Sequence, residues 1–336
     1  MSLSEFKLID RYCRTLGAQD NCVAIGVGDD AAVIDVPHGY SLVVSVDTLI
    51  EGQHFFADAK PQDVAHKLLH SNLSDMAAMG ATPRWATLAV AIPRLQESWL
   101  DAFFSSLHTL SQNAGVAVVG GDTTKGPLAL TLSIMGIVPQ GAQLTRRSAQ
   151  PNDLILVTGE LGGAALGLKI ELAKRGNQAE QSQQFKGQAA DAALTRLNRP
   201  RARNDIGETL IGYARACIDI SDGLLGDLQH ILDESGTDAE IDWNLIPIDP
   251  SVQNCSSLDR SEIRELSLNG GEDYELLYTC SHDQYELWSQ AHPELSEHVK
   301  QIGRVLERTS TLDAGTIFLI DGKQRDPVSA SSFAHF

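Results

Sequence analysis

A two-domain α/β (α+β) protein is what this sequence predicts, on three observations. The chain has 336 residues, enough for about two domains with substantial cores. Short apolar runs alternate with segments of helical periodicity in both halves, the pattern of strands and helices packed in layers. Between the halves, residues 141–153 are polar, hold Pro151 and carry Arg146-Arg147. The boundary is placed there, with a first domain over 1–140 and a second over 150–336.

Taken in order, residues 4–16 carry Phe6, Ile9, Tyr12, Cys13 and Leu16 at helical spacing. The stretch Gly26-Val27-Gly28-Asp29-Asp30-Ala31-Ala32 lies between two apolar runs and reads as a turn. Residues 41–46 (SLVVSV) are a strand, followed by Asp47-Thr48. Pro61 suits a first helical turn, and that helix runs to Met79 with Gly80 as its stop. On it Val64, Leu68, Asn72, Asp75 and Met79 share one face. A strand over 86–92, a helix over 98–113, a short strand over 116–119 and a long strand over 128–138 complete the first half.

The second half opens with a strand over 154–158 and a helix over 164–174. A Gln-rich, polar stretch over 176–190 then reads as a flexible surface insertion. The basic break Arg199-Pro200-Arg201-Ala202-Arg203 precedes a helix over 206–216. A strand over 217–220 leads through Ser221-Asp222-Gly223 into a helix ending at Gly236. Gly270-Gly271-Glu272-Asp273 precedes a strand over 274–279, and a helix over 282–291 with strands over 302–306 and 316–320 closes the chain.

The charge balance excludes several classes of function. Lys and Arg number 26 against 44 Asp and Glu, a net charge of −18 with an isoelectric point near 4.8. Nucleic-acid surfaces need clustered Lys and Arg, so none is expected. An anionic substrate requires bridging cations to approach such a chain. No segment approaches the ~20 apolar residues that span a bilayer. Cys13, Cys22, Cys217, Cys255 and Cys280 are scattered with no Cys-x-x-Cys pair, which reads as reduced thiols in a cytoplasmic protein. No Walker-type Gly-x-x-x-x-Gly-Lys-Ser/Thr loop is present.

Recurring carboxylates carry the chemistry. Asp47, Asp122 and Asp219 each fall at or just past the end of an apolar run, and Asp30 lies in the glycine turn. Each alone is compatible with an Asx turn or a helix cap. Asp75 is different, because a carboxylate among Leu68 and Met79 must be paired or metal-bound, and neither Lys67 nor Arg84 falls on its stripe. Several such carboxylates beside glycines fit a site for multiple Mg²⁺ ions, since hard cations choose carboxylate oxygens. Ser221 and Asp222 either cap the helix after them or lie where its N-terminus receives a phosphate.

GVGDDAAV, SVDTLIEGQHF, NLSDMAAMGA, VVGGDTTKGPL, LTRRSAQPND, IDISDGLLGDL, NGGEDYELL and the terminal AHF together resemble the thiamine-monophosphate kinase family. That family belongs to the ATP-using superfamily of aminoimidazole-ribonucleotide synthetase, and the motifs run through essentially the whole chain in order. The resemblance implies that superfamily's fold, mixed sheets flanked by helices. It implies ATP-dependent phosphorylation of thiamine monophosphate to thiamine diphosphate, the last step in making that coenzyme. It implies Mg²⁺ ligands at Asp30, Ser45, Asp47, Asp75, Asp122, Asp219 and Asp222. Position 46, also at the metal site, is often Thr; here it is Val46, which has only its backbone carbonyl to offer. Nucleotide contacts are implied at Gly121, Asp122, Arg146 and Ser221, and substrate contacts at His54, Glu272 and the C-terminal aromatic Phe333. A homodimer formed through the first domains is implied as well. The related synthetases of purine synthesis instead use ATP to activate an amide oxygen and release phosphate. The acceptor here is already a phosphate anion, so direct in-line transfer without a strong general base is expected.

Overall fold

The computed structural model describes residues 8–176, 185–308 and 315–329. The chain divides into two compact units, Met1–Met76 with Ala81–Gln143, and Ala77–Gly80 with Leu144–Phe336.

In the first unit, two short antiparallel strands, β1 (Val23–Ile25) and β2 (Val33–Ile34), flank the glycine turn. The main strands are β3 (Tyr40–Ile50), β4 (Thr82–Ile92), β5 (Ala117–Lys125) and β6 (Ala129–Pro139). They form one mixed sheet in the order β3-β6-β4-β5. β6 is antiparallel to both β3 and β4, whereas β5 runs parallel to β4. A parallel pair needs a crossover, and the helix Glu97–Asn113 (here α2) supplies it, while α1 spans Pro61–Ala78. α2 is apolar along one stripe, burying Leu100, Phe103, Phe104 and Leu107. Strand alternation sends Leu130, Leu132 and Ile134 of β6 into the core. The edge strand β3 alternates the other way: Leu42, Val44 and Val46 point outward and are 44%, 60% and 57% exposed.

In the second unit the strands are β7 (Leu154–Thr158), β8 (Ala216–Asp219), β9 (Asp238–Asp242), β10 (Leu276–Cys280), β11 (Val299–Leu306), β12 (Ile317–Asp321) and β13 (Gln324–Val328). They form a mixed sheet in the order β13-β12-β9-β11-β7-β10-β8, in which only β9 and β12 are parallel neighbours. Five helices accompany it among the longer ones described: α3 (Gly163–Arg175), α4 (Gln188–Asn198), α5 (Leu224–Ser235), α6 (Arg260–Asn269) and α7 (His282–Ala291). Every residue of β8 and β10 is buried. One core joins Ile155, Val157, Ile218, Leu228 and Ile241 from strands and α5.

The α/β (α+β) expectation with mixed sheets flanked by helices holds in both units. Several local expectations do not. β3 and β5 run past the apolar residues that define them, to Ile50 and Lys125. Asp47 and Asp122 therefore lie inside strands and not at strand ends, because ladder pairing to β6 and β4 continues through polar positions. The Gln-rich stretch is helical from Gln188 onward, while residues 177–184 lie outside the described residues. The helix expected over 206–216 is limited to the short turns Asn204–Gly207 and Glu208–Leu210.

Close sheet-to-helix packing at Gly136 yields a stability test. A Cβ there would sit 2.8 Å from Met76 Sδ and 2.8 Å from the Thr82 carbonyl oxygen. The methionine can swing away, but the Thr82 backbone cannot. Gly136→Val is expected to destabilise the protein by about 2 kcal/mol, read as a lower denaturant midpoint.

Candidate active site

In the first unit the candidate residues meet where α1 lies on β3. Ser45 donates its hydroxyl to Asp75 Oδ2 at 2.6 Å. Two residues along the strand, the Asp47 carboxyl lies near the Ser71 side chain, whose hydroxyl donates to the Leu68 carbonyl at 3.2 Å. Ser71 and Asp75 are one helical turn apart, and Ser45 and Asp47 are on the same side of the strand, so the two spacings coincide. The result is a lattice of two carboxylates and two hydroxyls. Asp75 is thus paired, as its place on the apolar stripe demanded, and a hydroxyl is among its partners. Burial pushes the Asp47 carboxyl up from its ordinary value, while Ser71 and the nearby His54 pull it back.

His54 sits in the turn after β3, and its Nδ1 accepts from the Ile50 amide at 3.0 Å. That bond leaves the ring's proton on Nε2. Lys67, buried on α1, donates to the His54 carbonyl at 2.9 Å and fixes the turn. Val46 projects from the outer face of β3, so its side chain stands away from the Ser45–Asp75 pair.

The other first-unit candidates are spread out. Asp30 is exposed in the glycine turn, with its amide donating to Asp29 Oδ1 at 2.9 Å. Residues Asp47, Leu132, Leu88 and Gly121 form one row across the sheet. Asp47 and Asp122 therefore stand at opposite edges, separated by three strand spacings or about 14 Å along the ladder. Gly121 is demanded by closeness: a Cβ there would strike the Leu88 carbonyl oxygen. Among the described residues, no three His, Cys, Asp or Glu side chains converge as an ion's ligands.

In the second unit Asp219 ends β8, buried, and Ser221 and Asp222 follow in the turn before α5. Their amides, with that of Gly223, all donate to Asp227 Oδ2 at 3.1 Å. The nest that sequence reading offered to a phosphate or to the caps of Ser221 and Asp222 is filled by a carboxylate from one turn into the helix. Glu272 donates its amide to the Ser221 carbonyl at 2.8 Å, so the loops bearing Ser221, Asp222 and Glu272 are joined. Arg146 is exposed on the segment beside β8, where the Thr145 carbonyl accepts from the Cys217 amide at 2.8 Å. Phe333 and the terminal AHF lie outside the described residues.

Sequence reasoning missed three carboxylates that hold this region. Asp227 was the first; its helical spacing after Ser221-Asp222-Gly223 was the available signal. Asp273 accepts from the amides of Gly162 and Ala164 at 2.7 and 3.4 Å, closing the start of α3. Glu275 is buried against Arg203, which makes two hydrogen bonds to it, and takes the Thr158 hydroxyl at 2.6 Å. Arg203 belongs to the basic break, yet it serves the interior and not the surface. α6 also went unread, although Asp259 and Glu262 form a capping box at its start.

Burial pushes the Asp227 carboxyl up to about 7, with the three amides opposing the shift. An unfolded aspartate titrates near 4. The folded state thus binds the extra proton between those values, and this group's contribution falls as pH rises from about 4 to about 7. Asp227→Asn is expected to flatten the decline of melting temperature across that window, measured by thermal unfolding at half-unit pH steps.

The AIR synthase related protein N-terminal domain family matches residues 28–138, and its C-terminal domain family matches residues 150–312. Thiamine-monophosphate kinase of Haemophilus influenzae is 38% identical over 339 residues, covering 100% of this chain and 99% of its own. The Escherichia coli K12 protein of that name is 42% identical over 279 residues, 83% of each chain. Among solved structures, thiamine-monophosphate kinase from Stenotrophomonas maltophilia K279a superposes with a TM-score of 0.79 at 36% identity, covering 94% of this chain and 97% of that one. A structure described as AaThiL complexed with AMPPCP and TMP gives 0.76 at 29% identity, covering 90% and 89%. Hydrogenase maturation protein HypE in complex with ATP shares the fold, with a TM-score of 0.75 at 20% identity over 98% and 95%. Matched in both domains and at these identities over most of its length, the chain belongs to the AIR synthase related proteins and, within them, to the thiamine-monophosphate kinase family.

Proposed function

We propose that this chain transfers the γ-phosphoryl group of ATP directly to thiamine monophosphate at a carboxylate-held Mg²⁺ site, giving thiamine diphosphate and ADP. The observation that carries the site is the lattice of Ser45, Asp75, Ser71 and Asp47 between β3 and α1. Its donors are all oxygens, the set that Mg²⁺ selects, and burial raises the Asp47 carboxyl above its ordinary value, so a bound cation would favour its ionised form. Asp47 and Asp75 with Ser45 and the Val46 carbonyl are assigned to hold Mg²⁺, joined by Asp30, Asp122, Asp219 and Asp222. When bound, Mg²⁺ neutralises phosphate charge that would otherwise keep donor and acceptor apart.

The chain's own residues bind and orient. Gly121 and Asp122, with Arg146 and Ser221, are assigned to the nucleotide. Arg146 is an exposed guanidinium able to grip phosphate oxygens in a fork. His54, with its proton on Nε2, has a donor for the acceptor phosphate, and Glu272 offers a carboxylate to the cationic thiamine portion. Phe333 is assigned to pack on that portion. The acceptor phosphate oxygen is already an anion at neutral pH, so no residue needs to remove a proton. The location is taken as cytoplasmic; among the described residues no helix is long and apolar enough to cross a membrane.

With γ-labelled ATP, label is expected in thiamine diphosphate one-for-one with ADP, and no labelled protein. Label released as free phosphate at the rate of ADP would favour the synthetase chemistry. Asp75→Asn keeps the size and removes the anion, so turnover is expected to fall by roughly a hundredfold or more with the melting temperature little changed.

A homodimer is the assembly this reading assigns, with a second copy covering the outer face of β3. Leu42, Val44 and Val46 form an exposed apolar stripe on an edge strand, a surface that soluble proteins ordinarily cover. Val44→Lys is expected to convert a dimer to a monomer in sedimentation velocity, whereas Lys169→Ala, on α3, is expected to leave the dimer intact.

A further inference from the structure

The loop Gly270–Glu275 has a backbone that needs external restraint. Glu272 and Tyr274 hold φ of +67° and +52°, the left-handed region that non-glycine residues enter under constraint. Two restraints are backbone bonds, from the Glu272 amide to the Ser221 carbonyl at 2.8 Å and from the Tyr274 amide to the Ile220 carbonyl at 2.9 Å. A third is the Glu275 carboxylate gripped by Arg203 and Thr158. The fourth lies between the two left-handed residues: Asp273, whose two oxygens take the Gly162 and Ala164 amides.

This is an unusual way to close a helix. An N-terminal cap normally comes from the residue at the helix start. Here that residue is Gly162, which has no side chain to give and itself holds φ of +89°. The acceptor comes instead from 111 positions along the chain. A local Ser or Asp would satisfy the same amides, but it would not tie the 270–275 loop to α3. The long-range arrangement adds the fixing of that loop, whose one half-exposed acidic side chain next to the anchor is Glu272.

We propose that Asp273 is a positioning residue for substrate: by seating on the first amides of α3 it holds the left-handed backbone of Glu272 and aims that carboxylate at the thiamine portion of the acceptor. The proposal rests on the reading of Glu272 as a contact to thiamine monophosphate. It assigns Asp273 no contact with either substrate and predicts an effect confined to one of them.

The test is a double-mutant cycle on Glu272→Ala and Asp273→Ala, with KM and kcat measured for each substrate and binding of thiamine monophosphate measured by calorimetry. Each single variant is expected to weaken thiamine monophosphate by about tenfold, with KM for ATP changed less than about twofold. The double variant is expected to be no weaker than the weaker single, because both changes remove the same contact. Asp273→Asn, which retains an oxygen for the Gly162 amide, is expected to recover most of the affinity. It also serves as the test should the alanine variant fail to fold: a tenfold or greater loss in both substrates there would overturn the proposal. So would multiplying effects in the double variant, or equal losses in both substrates for Asp273→Ala. If Glu272→Ala alone leaves thiamine monophosphate binding intact, the reading of Glu272 falls and the positioning role falls with it. Loss in Glu272→Ala with multiplying effects removes the positioning role and leaves that reading standing.

Discussion

A carboxylate taken out of water must find hydrogen-bond donors or a cation, and the local architecture of both units follows from how that demand is met. The chain carries 44 acidic residues against 26 basic ones, so arginine and lysine cannot serve every buried anion. Arg203 is spent inside, on Glu275. Asp227 receives three amides in a row, and Asp273 receives two from the start of α3. For Asp273 the donors are N–H groups at the start of α3, and for Asp227 they are those of the turn leading into α5, so one contact satisfies both sides. Glycine-rich turns and buried aspartates are therefore complementary parts of one arrangement in the second unit.

That arrangement explains what sequence could and could not reveal. Strand and helix order was legible because apolar periodicity is local, and the strands at 154–158 and the helix at 61–78 fall where the pattern puts them. Asp75 was legible as well, since its neighbours on one helix face are fixed by spacing alone. Ser45 as its partner was not, because nothing local announces that strand residue 45 will face helix residue 75. Asp273 to Gly162 spans 111 positions and Glu275 to Arg203 spans 72. Gly270-Gly271-Glu272-Asp273, read along the chain, gives no sign that the Asp273 carboxylate reaches the start of α3. The strand ends were misplaced for a related reason: β3 and β5 keep their ladder bonds through Asp47 and Asp122, and backbone pairing is blind to side-chain polarity.

The two units differ in the partners described for their acids. In the second unit the acids are held by amides and a guanidinium, with no vacancy at Asp227 or Glu275 for another cation to improve on. Such bonds fix a backbone, and what they fix is the pair of loops bearing Ser221, Asp222 and Glu272. In the first unit the Ser45 hydroxyl donates to Asp75, and the Asp47 carboxyl lies near the Ser71 side chain and His54. A hydroxyl can also turn its lone pairs toward a cation, so it is able to change from donor to ligand without moving its oxygen far. That asymmetry supports the proposal that the oxygen cluster on β3 and α1 takes part in metal binding, while the bonds of the second unit shape the loops bearing Ser221, Asp222 and Glu272.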